Sequence, residues 1–389
     1  MIQKVVMGTR VPAKLWLSDV ESSCMEQIVS LASLPFAFRH VAIMPDAHTG
    51  KGMPIGGVLA TKGVVVPNAV GVDIGCGMCA MRTSLKADSL TQDILRAIVK
   101  HIHTSIPMGC EHQKQPVDKT LLPEGDWDKL PFLRDKRQEM LCELGTLGSG
   151  NHFIEIQRDT ARDDVWVMLH SGSRHIGLLT ATHYGKQAEF WCGKWYSETA
   201  PQLAFLPVET DLAKDYLREM SYLVRFAFAN RQKMMEEIKK GLDDICPGVE
   251  FVEEINIAHN YAAWERHFGQ DVIVHRKGAT SARAGQKGII PGSMGSRSFI
   301  VEGLGNEESF MSCSHGAGRR MSRIVARRTL SLEEERRRLD ERGIMHNMSM
   351  SLLDEAPSAY KDIGDVLENE RDLARPLVEL APLAVVKGS

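Results

Sequence analysis

Residues 70–78 read VGVDIGCGM, and they set a carboxylate, Asp73, three residues before a thiol, Cys76, in a run with three glycines. Glycine lets a backbone turn sharply and approach a ligand closely. A hard oxygen donor and a soft sulfur donor on such a loop form half of a transition-metal site. The other half should be imidazole. Histidines in equally unusual settings supply it: Asn151-His152, His170-Ser171-Gly172-Ser173-Arg174, His259-Asn260 and Ser314-His315-Gly316. Taken alone, the run also describes a tight turn around a buried structural Cys, the commoner fate of a free thiol. Cys79 completes a formal C-x-x-C with Cys76, a spacing used by redox pairs and half zinc sites. No second C-x-x-C occurs, so a structural zinc site built from cysteines alone lacks its other half.

Working outward, the chain of 389 residues is 43% hydrophobic and 25% charged, as expected of an ordinary globular protein. No apolar run has the length of a membrane span, and the N-terminal MIQKVVMGTRVPAK lacks the apolar core of a secretory signal. Eight thinly spread cysteines point to a reducing compartment, so a cytoplasmic location is expected. The net charge of −3 gives no global basic signature and argues against simple coating of nucleic acid, though not against a local groove.

The apolar spacing of 24–34 predicts a short helix ended by Pro35. Residues 40–44 read as a buried strand leading into a polar turn at 45–48, and 55–60 and 64–66 as strands joined by Thr61-Lys62-Gly63. A helix is expected at 90–106, then an irregular surface excursion at 108–131. The loop 144–150, LGTLGSG, precedes a strand at 152–156, and 165–169 is a strand with His170 at its end. Residues 176–241 are expected to be largely helical, and 269–291 to alternate short β pieces with Gly turns. A Gly-rich block at 292–318 is followed by a charged helical stretch at 319–342, with nine Arg and five acidic residues. A last helix near 365–380 and a short strand at 383–386 close the chain. Gly-rich loops recur throughout, which predicts one interwoven α/β domain over 1–389, with central sheets and an embedded helical subdomain at about 176–241.

If 152–156 is a strand, His152 and Glu155 face opposite sides and serve two neighbouring sites. His170 stands at a strand's C-terminal end, where α/β folds gather chemistry. His259-Asn260, read blandly, is a helix end with capping polar groups. In Cys313-Ser-His315-Gly-Ala-Gly-Arg319 the small flanking residues open the ring to a bulky substrate. Arg319, Arg320 and Arg323 offer guanidinium forks to phosphates. Imidazole attack on phosphorus gives a phosphoramidate, a legitimate covalent intermediate. Neither G-x-x-x-x-G-K-[ST] nor G-x-G-x-x-G occurs, so a nucleotide must be held in another way.

Together these motifs resemble the RtcB family of GTP- and manganese-dependent RNA-splicing ligases. The matching strings run from about Val11 to Gly388. They include PDAHTGKG (45–52), VGVDIGCGM (70–78), LGTLGSGNHFIE (144–155), LHSGSR (169–174), HNY (259–261), ARAGQKGIIPGSMG (282–295), GLGNEESFMSCSHGAGR (303–319), AYKDI (359–363) and VKG (386–388). The resemblance implies joining of an RNA 3′-phosphate or 2′,3′-cyclic phosphate to a 5′-hydroxyl. The implied route runs through a His–GMP intermediate and an activated RNA 3′ end.

The resemblance makes His315 the nucleophile and Asp46 its orienting partner. Two Mn²⁺ ions fall to Asp73, Cys76 and His152 on one side and to Cys76, His170 and His259 on the other. It gives the GTP pocket Asn151, Glu155, Asn260, Ser293, Ser298, Gly316, Ala317, Gly318, Tyr360 and Lys387, and the RNA phosphates Arg174, Arg319 and Arg323. In this reading Glu155 accepts from guanine N1–H and N2–H. The family pattern has PDVH where this chain has Pro45-Asp46-Ala47-His48, and the 108–131 excursion matches poorly. A rival reading from the residues alone is a dinuclear metallophosphoesterase acting on nucleotides or cyclic phosphates. A third is a non-catalytic RNA-binding subunit. The physiological RNA, any activating protein partner and the oligomeric state are not legible in the sequence.

Overall fold

The computed structural model describes residues 1–200 and 202–388. Two large sheets carry the fold. The first has six strands in the order Lys4–Val6, Ala13–Leu15, Ala37–His48, Ile55–Thr61, Gln270–Lys277, Asn260–His267. The second runs Phe251–Ala258, Gly77–Lys86, Asp164–Ser171, Phe153–Asp159, Ala374–Val386, Ser298–Gly303, Lys287–Ile290, with Met345–His346 alongside Ala374–Val386. Pairing is antiparallel except where Ala13–Leu15 meets Ala37–His48 and where Met345–His346 meets Ala374–Val386.

The second sheet is buried on both faces, which is why its central strands read as nearly unbroken apolar runs. Along Gly77–Lys86, Met78 and Ala80 pack with Trp166, Met168 and Ile257, while Cys79 and Met81 pack on the opposite side with Ile98, Met234 and Ile238. The period of two therefore puts Cys79 in the hydrophobic core under the helices Gln92–Ser105 and Asp211–Ile245. Cys76 lies just before the strand, on the loop.

The helix Asp211–Ile245 has 35 residues, capped by the Thr210 side chain, which accepts from the Ala213 N–H. At 1.5 Å per residue it is roughly 50 Å long. It buries a stripe including Tyr216, Met220, Leu223, Ala227, Met234, Ile238 and Leu242. In that stripe stand three fully buried polar residues, Glu219, Asn230 and Arg231, and the last two reach the loops around the second sheet. Asn230 Oδ1 accepts from the N–H groups of Gly145 and Thr146 at 2.7 and 3.1 Å, and its Nδ2 donates to Thr146 O, Ser171 Oγ and Gly172 O. Arg231 donates to Gly75 O at 3.0 Å, to Ser171 O at 2.9 Å and to Asn256 Oδ1 at 2.7 Å. One helical turn thus ties down the loops at 73–76, 144–150 and 170–173.

Several sequence expectations need correction. Residues 45–48 do not turn: the strand Ala37–His48 continues, and its pairing shifts between Ile43↔Gly57 and His48↔Ile55. Five steps on one strand face two on the other, a bulge that accommodates Pro45, which has no N–H to offer a ladder. Val64–Val65 pairs with Leu206–Pro207 rather than with its sequence neighbour Ile55–Thr61. The last helix spans only Ile363–Asn369, and Ala374–Val386 is a strand. Pro376 would break a helix; in the strand, the register shifts beside both Pro376 and Pro382. His259 ends no helix: it joins Phe251–Ala258 of one sheet to Asn260–His267 of the other. The charged 319–342 stretch is two short helices, Arg323–Thr329 and Leu332–Asp340, the second started by a Ser331 cap.

Because Asn230 makes five buried hydrogen bonds to loop groups, Asn230→Ala leaves several of them unpaired. The expected loss is about 2–4 kcal/mol. It is read as a lower urea midpoint with an unchanged m-value.

Candidate active site and metal centre

The loop at 70–78 crosses directly onto the end of the second sheet. Gly75 has φ +72° and lies against Val224 and Ala227 of the long helix. Gly172 is needed for a different reason: a Cβ there would overlap Asp73 Oδ1. Asp73, Cys76 and His152 offer ligand atoms all within 4.8 Å of one another, and so do Cys76, His170 and His259. The Cys76 thiol is common to both groups.

The hydrogen bonds behind the rings fix what these imidazoles present. His152 Nδ1 lies 3.0 Å from Leu147 O, and His170 Nδ1 lies 3.1 Å from Asn151 O. A carbonyl only accepts, so both Nδ1 atoms carry a proton, and Nε2 is the atom each neutral ring presents as a lone pair to a ligand. His152 Nε2 faces Asp73 Oδ2 at 3.1 Å and Cys76 Sγ at 3.5 Å. His170 Nε2 faces Cys76 Sγ at 3.2 Å and His259 Nε2 at 3.3 Å. His259 Nδ1 is buried without a partner among the described residues. Acceptors thus converge on one another with too few protons between them, the arrangement that a cation resolves.

Burial and the neighbouring Asp73 carboxylate push the Cys76 thiol up, and burial pushes His170 and His259 down. Burial opposes ionisation of Asp73, but in the metal-free cluster a proton shared with His152 Nε2 and the Cys76 S–H hold its carboxyl below the usual range. Neutral imidazoles and a carboxylate are the forms that ligate; a coordinated thiol gives up its proton. The residues fit two divalent ions sharing a thiolate.

His315 follows the strand Ser312–Ser314, and its ring lies 4.9 Å from that of His259, centroid to centroid. Its Nδ1 donates to Asp46 Oδ2 at 2.6 Å, and its backbone N–H reaches the same oxygen at 3.1 Å. The bulge in Ala37–His48 therefore delivers a fully buried carboxylate behind the ring. Burial works against its charge, yet His315 and Lys361 outweigh it and hold Asp46 below the ordinary range. Lys361 Nζ braces the bulge by donating to Pro45 O and Ala47 O at 3.1 and 2.7 Å.

His315 opens onto a cavity of about 680 Å³. Of the residues expected to hold nucleotide, Asn151, Glu155, Ser293, Gly316, Ala317, Gly318, Tyr360 and Lys387 line it. Asn260 and Ser298 do not. Asn260 donates to Asp73 O at 3.0 Å and accepts from the Gly278 N–H at 2.7 Å, and Ser298 Oγ holds Gln157 and the Gly292 N–H, both at 3.1 Å. They position walls rather than form them.

Glu155 is buried, and burial raises its carboxyl to about 8, opposed by a hydrogen bond from Gln157 and by Lys387. Lys387 is itself buried, which lowers it, against Glu355 and Glu155, which raise it.

The expected RNA contacts divide. Arg319 and Arg323 line the cavity, but both are paired with Glu355, and Arg323 also with Asp354 at 2.7 Å. Arg174 does not line it; its guanidinium lies under the 144–150 loop, with Nε 2.9 Å from Thr146 Oγ1 and 3.5 Å from Glu143 Oε2. Sequence reading missed Glu355, which also accepts from Tyr360 Oη, and the buried pair Asn230-Arg231. The signal for the pair was polar residues within an apolar helical stripe. Nothing local marked Glu355.

A family model described as tRNA-splicing ligase RtcB matches residues 27–129 and 124–388. The chain belongs to the RtcB family. Among its relatives, the RNA-splicing ligase RtcB of Escherichia coli (strain K12) is 43% identical over 402 residues, covering 97% of each chain. The RNA-splicing ligase RtcB of Mycobacterium tuberculosis is 34% identical over 434 residues, covering 93% of this chain and all of its own. The tRNA-splicing ligase RtcB of Nanoarchaeum equitans is 32% identical over 462 residues, covering 97% of this chain and 95% of its own. No helix among the described residues is long and apolar enough to cross a membrane.

Because metal uptake must expel the Cys76 proton, affinity is expected to tighten up to about tenfold per pH unit below neutrality, with proton release. Calorimetry in buffers of different ionisation enthalpy reads this directly. Cys76→Ala and Gly172→Ala should lose most bound metal, while Cys79→Ala, whose side chain lies in the core, should keep it.

Proposed function

We propose that this RtcB-family protein is an RNA ligase that uses GTP and two Mn²⁺ ions to join an RNA 3′-phosphate or 2′,3′-cyclic phosphate end to a 5′-hydroxyl. The observation that carries the reading is the His315–Asp46 pair beside the shared-thiol donor set. Asp46 accepts from the Nδ1–H, which leaves the Nε2 lone pair open to the cavity as a nucleophile for phosphorus. A metallophosphoesterase working through bound water has no use for such a nucleophile.

Asp73, Cys76, His152, His170 and His259 would hold the ions, which supply charge neutralisation for phosphoryl oxygens. The donor set does not select Mn²⁺ by affinity, since Zn²⁺ and Co²⁺ bind such ligands more tightly. Glu155, on the cavity wall, would accept from the guanine N1–H and N2–H donors, a pair that adenine lacks. Tyr360, Ser293 and the backbone at 316–318 would complete the nucleotide's surroundings. Lys387, Arg319 and Arg323 would meet phosphate, the two arginines exchanging part of their contact with Glu355. The relatives' names include both RNA-splicing and tRNA-splicing ligases, so the substrate is RNA with broken ends. We assign the protein to the cytoplasm.

Incubation with labelled GTP and Mn²⁺ should yield an acid-labile, alkali-stable protein–GMP adduct, absent in His315→Ala. An adduct that survives that substitution sinks the mechanism. The guanine contact makes a second forecast. Glu155 titrates near 8 and binds guanine best as the carboxylate, so GTP affinity should rise with pH. The rise is at most about tenfold per unit between pH 6.5 and 8. In Glu155→Gln the slope should vanish, and GTP should lose much of its advantage over ATP in equilibrium binding.

A further inference from the structure

His48 ends the strand Ala37–His48 and lines the same cavity as His315. Its Nδ1 lies 3.0 Å from the main-chain carbonyl of Asp46. That carbonyl can only accept, so Nδ1 carries the proton and Nε2 is a lone pair. No partner for Nε2 occurs among the described residues, nor is the atom sealed off. One residue, Asp46, therefore sets two tautomers: its carboxylate turns the His315 lone pair into the cavity, and its carbonyl does the same for His48.

We propose that His48 is the general base that takes the proton of the attacking RNA 5′-hydroxyl in the sealing step. This rests on the ligase reading above. In that step the 5′-oxygen attacks the phosphorus of the GMP-activated 3′ end and its proton passes to His48 Nε2. The phosphoanhydride bond breaks, and its electron pair leaves on the phosphate oxygen of GMP. His48 then returns its proton to solvent.

The other titratable groups facing the cavity are committed elsewhere. His315 has served as the nucleophile, and His170 presents its lone pair to the Cys76 and His259 ligand atoms. Glu155 is bonded to Gln157, Glu355 to Tyr360 and two arginines, and Lys387 Nζ pairs with Glu355 Oε2 at 3.8 Å. Glu21, from the segment before the helix Ser22–Ala32, accepts from Thr49 Oγ1 at 3.0 Å.

The groups around His48 are Asp46, His315, Lys361 and, at the rim, Glu21. Burial, with His315 and Lys361, lowers its imidazole to about 4, against the Asp46 carbonyl and carboxylate, so the ring is neutral. Phosphates entering the cavity raise that value toward the working pH and strengthen the base.

The test compares wild type, His48→Gln and His48→Ala in single turnover, following His315–GMP formation, the activated RNA 3′ end and sealed product separately. Both variants should form the adduct within about threefold of wild type, accumulate the activated end, and seal about 10²–10⁴-fold more slowly. The dependence of wild-type sealing on pH below neutrality should be flattened in both. Retained guanylylation shows that the variants fold. Sealing unchanged in the variants overturns the proposal. A matching loss of guanylylation also overturns it, because His48 would then act through Asp46 on the nucleophile. A wild-type protein that forms no adduct instead fails at the ligase reading, a result separable from either.

Discussion

Everything at this site depends on where a few imidazole protons are. Two backbone carbonyls, those of Leu147 and Asn151, accept from the Nδ1–H groups of His152 and His170 and leave unprotonated nitrogens aimed at Cys76. Asp46 does the same for His315. Lone pairs crowded in this way repel one another unless a positive charge stands among them. The surrounding fold is the scaffold that makes the crowding tolerable: a bulge, two Gly-bearing loops and a helix with a buried Asn-Arg pair hold the acceptors in place.

The long helix shows how remote such support can be. Asn230 and Arg231 touch no ligand atom, yet the first holds the main chain of the 144–150 loop and the second that of the 73–76 loop. A ligand geometry good to a fraction of an ångström needs fixed backbone behind it. Here that backbone is fixed by hydrogen bonds from a single helical turn.

Much of this was legible in residue order, and the rest was not, for physical reasons. The ligand candidates announced themselves because His, Cys and Asp beside Gly are costly settings without a function. The helix at 22–32 followed from apolar spacing before Pro35, that at 92–105 from the helix expected before Pro107, and 211–245 lies largely in the stretch read as helical, 176–241. What escaped depended on partners far away in the chain. The 45–48 segment looks like a turn until its bulged pairing with Ile55–Thr61 is seen, and 374–380 has helix-like composition until its place between two strands is known. Which guanidinium faces a cavity is likewise not local information. Arg174 belongs to a motif full of site residues, yet its side chain turns into the protein beneath the neighbouring loop.

His259 is the single residue between the last strand-forming position of one sheet and the first of the other. Its ring also belongs to the shared-thiol cluster, whose other members come from the second sheet and its loops. The members of the cluster span residues 73 to 259. Long-range closures of this kind come late in folding. A half-folded chain therefore has loose thiols and imidazoles but no cage, and ion capture becomes the event that certifies a finished molecule. Bound metal would also hold the junction residue between the two sheets against the loops of the second, so that shifting that junction would require surrendering the metal first.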